Sequence, residues 1–154
     1  FMKRITYWPQ LFLGLTYNWG IVMAYTAITN SVSLEIIILY TAAIFWTLGY
    51  DTIYGLQDII DDEIIGIKST SIKFKKNIKL FVSVCYFLSS LLIVILFYNQ
   101  ISLNKLTLLI AAFISSLMYQ VVRFKKNNQK RCLQAFKLNN ISGFLLFFGI
   151  FLIK

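Results

Sequence analysis

The sequence predicts an all-α integral membrane protein of about five transmembrane helices, folded as a single membrane domain over residues 1–154. Three observations carry that expectation. Hydrophobic residues make up 58% of the chain and charged ones only 14%, against roughly 25% charged in soluble domains, and the mean hydropathy is +0.72. Apolar runs recur at the length a bilayer demands, about 20 residues for a helix rising 1.5 Å per residue. The lysines and arginines fall in alternate connections between those runs.

The chain opens with Lys3-Arg4, followed by Tyr7-Trp8-Pro9-Gln10. Pro9 suits the first turn of a helix, where its missing N–H costs nothing. Tyr7 and Trp8 suit a membrane interface. The first apolar run extends from Leu11 to Ile28 and is interrupted by Asn18. Basic residues ahead of an apolar run also fit a secretory signal, but this run leads into further spans rather than into a soluble domain. Thr29 to Ser33 is a polar link without Lys or Arg. Leu34 to about Ile60 reads as one long helix, apolar first and acidic last. Gly66 ends or bends the structure soon after, and Ile67 to Lys79 is a basic loop. Leu80 to Tyr98 is a clean span of 19 residues, and Asn99 to Lys105 is a short polar turn. Leu106 to Val122 is a further span, in which Ser115 and Ser116 are small enough for helix contact. Arg123 to Lys137 is strongly basic. Leu138 to Ile153 is a final, shorter span, with Gly143 and Gly149 permitting close packing.

Charge order fixes an orientation. One set of alternate connections holds Lys3 and Arg4, five lysines between 68 and 79, and six basic residues between 123 and 137, thirteen in all. The other set holds only Lys105 and Lys154. The positive-inside rule assigns the first set to the cytoplasm, which predicts a multi-pass protein of a bacterial inner (cytoplasmic) membrane. The net charge of +9 is thereby a topology signal, and no nucleic-acid partner is expected. Cys85 and Cys132 have neither metal-site spacing nor a disulfide context. With no His in the chain, imidazole chemistry is excluded.

The acidic residues are the exception to this pattern. Five of the six lie between Asp51 and Glu63. Carboxylates at the mouth of a membrane helix cost free energy and mark a candidate site. On one continuous helix at about 100° per residue, Asp58 and Asp62 return to within about 20° of Asp51, and Tyr54 lies about 60° away. The expected result is an acidic stripe about 16 Å long. Like charges so stacked repel and call for cations. Hard oxygen ligands point to Mg²⁺, commonly held by one or two carboxylates plus substrate phosphates. Lys68 adds a point charge for a phosphate. The substrate so described is a lipid or isoprenoid diphosphate. The plain alternative is a solvated acidic helix end neutralised by the lysines that follow.

The run Asp51-x-x-Tyr54-x-x-x-Asp58-x-x-x-Asp62, continuing into Ile65-Gly66-Ile67-Lys68-Ser69-Thr70, closely resembles the second aspartate-rich motif of the UbiA-type intramembrane aromatic prenyltransferases. The similarity is greatest to those acting on 4-hydroxybenzoate in ubiquinone biosynthesis. Met2-Lys3-Arg4-x-Thr6-x-x-Pro9-Gln10-x-x-Leu13-Gly14, running on to Trp19-Gly20, and Phe136-x-x-Asn139-Asn140-x-x-Gly143-x-x-Leu146-Phe147 resemble the same group. Gly55 stands where the family usually has Ala. The resemblance implies a nine-helix bundle of which this chain is the C-terminal half. It implies Mg²⁺ as cofactor, and polyprenyl diphosphate, 4-hydroxybenzoate and the lipid bilayer as partners. Loss of diphosphate would leave an allylic cation that attacks the ring carbon ortho to the phenol. Asp51, Asp58 and Asp62 would serve Mg²⁺-diphosphate binding. Lys68 and Tyr54 would assist at the diphosphate, and Arg4 would take the benzoate carboxylate, whose geometry its guanidinium matches. For Arg4 a plain topology charge is the alternative.

The family's first motif, an Asn-Asp-x-x-Asp-x-x-x-Asp run, does not occur in these 154 residues. The expectation is a C-terminal fragment that is inactive on its own. Three alternatives stand beside it. One is a family member with another acceptor, such as a naphthoate or a haem precursor. Another is a small cation transporter subunit, which would place acids on more than one helix near the bilayer midplane; a non-catalytic membrane assembly subunit is a third.

Overall fold

A computed structural model describes residues 1–152. Ile153, the end of the last predicted span, and Lys154, counted among the outer charges, lie outside the described residues. Among the described residues the chain is helical, with no strand and a lone bridge between Lys125 and Asn128. Helix α1 (Met2–Ile5) precedes α2 (Pro9–Tyr17), which Pro9 opens, and α3 (Trp19–Thr29). Asn18 separates α2 from α3. Its Nδ2 donates to the Gly14 carbonyl (2.8 Å) and to Thr47 Oγ1 (2.9 Å), so a polar residue inside an apolar run is satisfied by the neighbouring helix. Asn30, at φ 54°, ends α3.

Helix α4 (Leu34–Tyr54) begins where Ser33 Oγ accepts from the Ile36 N–H, a capping role that suits serine. After α5 (Ile59–Ile65) and α6 (Thr70–Lys73) come two long apolar helices, α7 (Ile78–Leu96) and α8 (Lys105–Arg123). A 3-10 turn, Tyr98–Gln100, lies between them. The basic stretch after α8 contains a helix of its own, α9 (Gln129–Lys137), capped by Asn128 and burying Cys132 and Ala135. Helix α10 (Asn139–Phe151) follows across Leu138.

Four helical stretches are long and apolar enough to cross a membrane: Pro9–Thr29, Leu34–Tyr54, Ile78–Leu96 and Lys105–Arg123. The chain is a multi-pass membrane protein. The predicted fifth span is shorter than a crossing in its described part. The 13 residues of α10 rise only about 20 Å, against a hydrocarbon core of about 30 Å. It still runs antiparallel along α8: Ser142 Oγ lies 2.7 Å from Ser116 Oγ near one end, and Gly149 faces Leu109 and Leu106 near the other.

Helix α4 is central, packing on α2, α3, α7 and α9. Its tightest approach is to α7, where a Cβ on Gly49 would lie 2.4 Å from a ring carbon of Tyr86. The Tyr86 hydroxyl donates to Gln120 Oε1 (2.7 Å), and Gln120 Nε2 donates to Ser142 Oγ (3.0 Å). This buried chain of polar groups links α7, α8 and α10. Beside it, the Trp46 and Phe113 rings meet edge-on at 5.2 Å. The three basic connections predicted to share one side gather at one end of the bundle. The Lys68 N–H donates to the Lys3 carbonyl, Gln129 Nε2 donates to the Gln57 carbonyl (2.7 Å), and the Lys79 ammonium lies 5.8 Å from the Phe124 ring.

Candidate functional site

The acidic segment lies at that same end, but not on one helix. Helix α4 stops at Tyr54, and Asp58 occupies the N-cap position of α5. The predicted continuous helix to Ile60, and with it the stripe of Asp51, Asp58 and Asp62, is therefore corrected. The break has a cause in the packing of α6 against the end of α4. In a continuing helix the Thr52 carbonyl would accept from the Leu56 N–H. Here it accepts from the Ser71 hydroxyl at 2.8 Å, and the Leu56 N–H turns to the Ile53 carbonyl at 3.3 Å. Gly55 makes room for this: a Cβ there would lie 2.5 Å from Ser71 Oγ.

The run from Gly66 to Ser71 acts as a clamp. Gly66, at φ 75°, reverses the chain after α5, and the Ile67 N–H closes the helix end on the Asp62 carbonyl at 2.8 Å. Left-handed backbone of this kind favours glycine. The Thr70 N–H then donates to Gln10 Oε1 (3.0 Å), and the Thr70 and Thr52 hydroxyls lie 2.7 Å apart. Thr52, Ser69, Thr70 and Ser71 are all fully buried, and Gln10 nearly so. The start of α2, the end of α4 and the loop between α5 and α6 are thus one hydrogen-bonded unit, consistent with the rule that buried polar groups find partners.

The charged side chains are arranged around this unit. Asp62 is buried, and its Oδ2 accepts from Lys3 Nζ at 3.3 Å. Asp51 sits half-buried on the last turn of α4, and Asp58 and Asp61 are exposed. Glu63 accepts from Lys75 through both oxygens at 2.7 Å. Lys68 turns towards α1: its Nζ lies 3.3 Å from the Ile5 carbonyl and 5.6 Å from the centre of the Tyr7 ring. Arg4 is exposed on α1, next in sequence to Lys3. Tyr54 is exposed, and its ring lies 4.7 Å from that of Phe136 in α9. One side-chain donor, Gln57 Nε2, is buried without a hydrogen-bond partner among the described residues.

Of the six predicted site residues, Asp62 and Lys68 are therefore tied to α1, through Lys3 and the Ile5 carbonyl, while Arg4 lies exposed on that helix with its side chain hydrogen-bonded to neither. Asp51, Tyr54 and Asp58 lie along the turn from α4 into α5. Among the described residues no three His, Cys, Asp or Glu side chains lie close enough to hold a metal ion. The carboxylates do not form a closed metal cage. What the segment carries is exposed or half-buried carboxylates at Asp51 and Asp58, and a buried one at Asp62 already paired with Lys3. Sequence reasoning assigned no role to Lys3, Gln10, Thr52, Ser71 or Gln57. The available signals were a Gln directly after the helix-opening Pro9, in an apolar context, and a Thr and a Ser in positions that only the folded chain makes neighbours.

A family model described as the UbiA prenyltransferase family matches residues 1–148. The chain is 37% identical over 153 residues to the 4-hydroxybenzoate octaprenyltransferase of Psychromonas ingrahamii, covering 99% of this chain and 53% of that one. It is 42% identical over 147 residues to the mitochondrial 4-hydroxybenzoate polyprenyltransferase of Dictyostelium discoideum, covering 93% of this chain and 31% of that one. It is 40% identical over 157 residues to the 4-hydroxybenzoate octaprenyltransferase of Serratia proteamaculans, covering 97% and 52%. The chain thus spans about half the length, or less, of these curated relatives. No solved structure matches it.

Proposed function

This chain belongs to the UbiA prenyltransferase family, and on that premise we propose that it supplies part of an enzyme transferring a polyprenyl group from polyprenyl diphosphate to the ring of 4-hydroxybenzoate, a step of ubiquinone biosynthesis. The observation that carries the proposal is the convergence of the acidic segment 51–63 with Lys3 and Lys68 at one end of a membrane bundle, where Asp62 and Lys3 already pair at 3.3 Å. Relatives over nearly the whole chain bear the 4-hydroxybenzoate prenyltransferase name, which favours that acceptor over a naphthoate or a haem precursor. The described acids, apart from Glu35, cluster between the end of α4 and α5, which disfavours an ion pathway through the bilayer.

In this proposal Asp51, Asp58 and Asp62 would supply the oxygen donors for Mg²⁺ at the diphosphate. Bound Mg²⁺ would neutralise charge developing on the departing diphosphate. Lys68 and Lys3 add cationic charge at the same anion. Tyr54 reaches the diphosphate from the turn, and Gln57 Nε2 is a donor in search of an acceptor oxygen. Arg4 binds the carboxylate of 4-hydroxybenzoate. The C–O bond to diphosphate breaks, the allylic carbon bonds to the ring carbon ortho to the phenol, and that ring carbon loses its proton. The apolar spans take the polyprenyl tail. We place the site on the cytoplasmic side of a bacterial inner membrane, on the strength of the thirteen basic residues at that end.

The proposal also includes that these 154 residues do not turn over alone. The test uses membranes carrying the chain by itself or together with the N-terminal part of a matching relative, and measures Mg²⁺-dependent prenylation of 4-hydroxybenzoate. Product is expected only in the combination, and Asp58→Ala should abolish it while leaving the chain in the membrane. Product from the chain alone, or unchanged product with Asp58→Ala, would remove the corresponding part of the proposal.

A further inference from the structure

Helices α7 and α8 enclose a groove of about 340 Å³, within the ordinary range for a bound small molecule, roughly 300–1,000 Å³. Its lining includes Phe87, Ile114, Leu117, Met118, Val121 and Val122. Phe87, Met118 and Val122 are exposed, so the groove opens outward from the bundle. Both helices are long and apolar enough to be membrane spans, so this opening lies at the depth of the bilayer.

The groove runs towards the basic end. Ser83, also in its lining, donates to the carbonyl of Lys79 one turn below, at 2.7 Å. On the other wall, Val121 and Val122 lead directly into Arg123 and Lys125. The two walls meet where the Lys79 ammonium lies 5.8 Å from the Phe124 ring. Lys79, Arg123, Lys125 and Lys126 are all exposed. Among the described residues, the ion pairs are Lys3 with Asp62 and Lys75 with Glu63, so no carboxylate neutralises this rim. An apolar slot at bilayer depth, ending in uncompensated cations, is complementary to an amphiphile with an anionic head. Basic pockets between membrane helices take such headgroups.

We propose that the α7–α8 groove binds an anionic phospholipid, with one acyl chain along the groove and the phosphate at Lys79 and Arg123. A zwitterionic choline head would bring a further cation into the rim and is disfavoured.

The test is native mass spectrometry of the whole chain in detergent, with phosphatidylglycerol or phosphatidylcholine added. One phosphatidylglycerol should be retained in preference to phosphatidylcholine. Removing two charges with Lys79→Gln and Arg123→Gln should weaken retention about thirty-fold, and Arg123→Gln alone about five-fold, on the usual contribution of a basic residue near anionic lipid. The single variant, at an exposed position, keeps the test decisive if the double variant loses helicity by circular dichroism. Ser90 also lines the groove, and Ser90→Phe, which fills it and leaves the charges in place, should lower retention several-fold. Equal retention of the two lipids, or retention unchanged in Arg123→Gln, would overturn the proposal. Full displacement by glycerol phosphate would reduce the site to an anion patch without an acyl groove, and would overturn it equally.

Discussion

Replacing Gly49 by Ala tests the packing that holds the site-bearing helix. The added Cβ would lie 2.4 Å and 2.7 Å from two ring carbons of Tyr86. Carbon atoms rest at about 3.5–4.0 Å, so the ring must retreat by about 1 Å. It is not a free side-chain tip: its hydroxyl donates to Gln120 Oε1 at 2.7 Å, and Tyr86 is 3% exposed. Overpacking of this kind costs about 1–3 kcal/mol. Stretching the hydrogen bond between two membrane helices adds about 0.6 kcal/mol. Alanine's better helix propensity returns up to about 1 kcal/mol. The net expectation is a loss of about 1–3 kcal/mol, read as a lower midpoint when detergent-solubilised protein is unfolded with SDS and followed by circular dichroism. Tyr86→Phe, which keeps the ring, should cost only about 0.6 kcal/mol. Combining Gly49→Ala with Tyr86→Leu should give a smaller loss than the sum of the two single changes, by about 1 kcal/mol or more. A midpoint for Gly49→Ala equal to that of the parent protein, or strict additivity in the pair, would refute the steric reasoning.

Further outcomes follow from the clamp, from the basic loop and from the charge order. Gln10→Leu leaves the buried Thr70 N–H without its acceptor and should cost about 1–3 kcal/mol; Gln10→Glu retains an acceptor and should recover part of that in the same unfolding assay. Burial pushes the Cys132 thiol above its ordinary value, and its Sγ lies 3.2 Å from the Lys125 carbonyl. Because the thiolate is the reactive form and exists only above the thiol pKa, maleimide labelling of Cys132 near pH 7 should be slow in the folded protein and fast after unfolding. Rapid labelling in the folded state would contradict the burial. Reporter fusions after Asn77 and after Leu103 should fall on opposite sides of the membrane, with the first cytoplasmic; a shared side would undo the orientation drawn from the basic residues.

The spans were legible because hydropathy is summed over many residues and tolerates local error. Leu80–Tyr98 was expected and Ile78–Leu96 is found; Leu106–Val122 was expected and Lys105–Arg123 is found. The identity of the acidic segment was legible from composition alone. Its conformation was not, because the break after Tyr54 depends on Ser71, 19 residues on. A periodicity argument assumes that each backbone carbonyl is answered four residues later, and here one is answered by a side chain from another element. The same limit hid Lys3 as the partner of Asp62, 59 residues away, and Gln10 as the partner of Thr70, 60 residues away. Helix α9 was masked for a different reason. Its lysines and arginine dominate the composition of 123–137, while its buried side needs only Cys132 and Ala135, spaced three apart on one helical face.

The break in the helix also resolves a difficulty that a continuous acidic stripe would have created. Three carboxylates stacked along one helix would repel one another in every state without a bound cation. In the folded chain they are distributed over three settings. Asp51 stays on α4, Asp58 stands at the junction, and Asp62 lies in the first turn of α5, where a helix N-terminus favours negative charge. Lys3 compensates the one that is buried. The segment can therefore fold before any cation arrives. Its two ends are meanwhile fixed by contacts that carry no charge: Ser71 on Thr52 at the Gly55 end, and the Ile67 N–H on the Asp62 carbonyl at the Gly66 end. Position is set by the neutral clamp, and in the function proposed above the charge is left to a bound diphosphate. On this division of labour, a change in the clamp should alter binding of a diphosphate without touching any carboxylate, whereas a carboxylate change should leave the clamp, and the fold around it, in place.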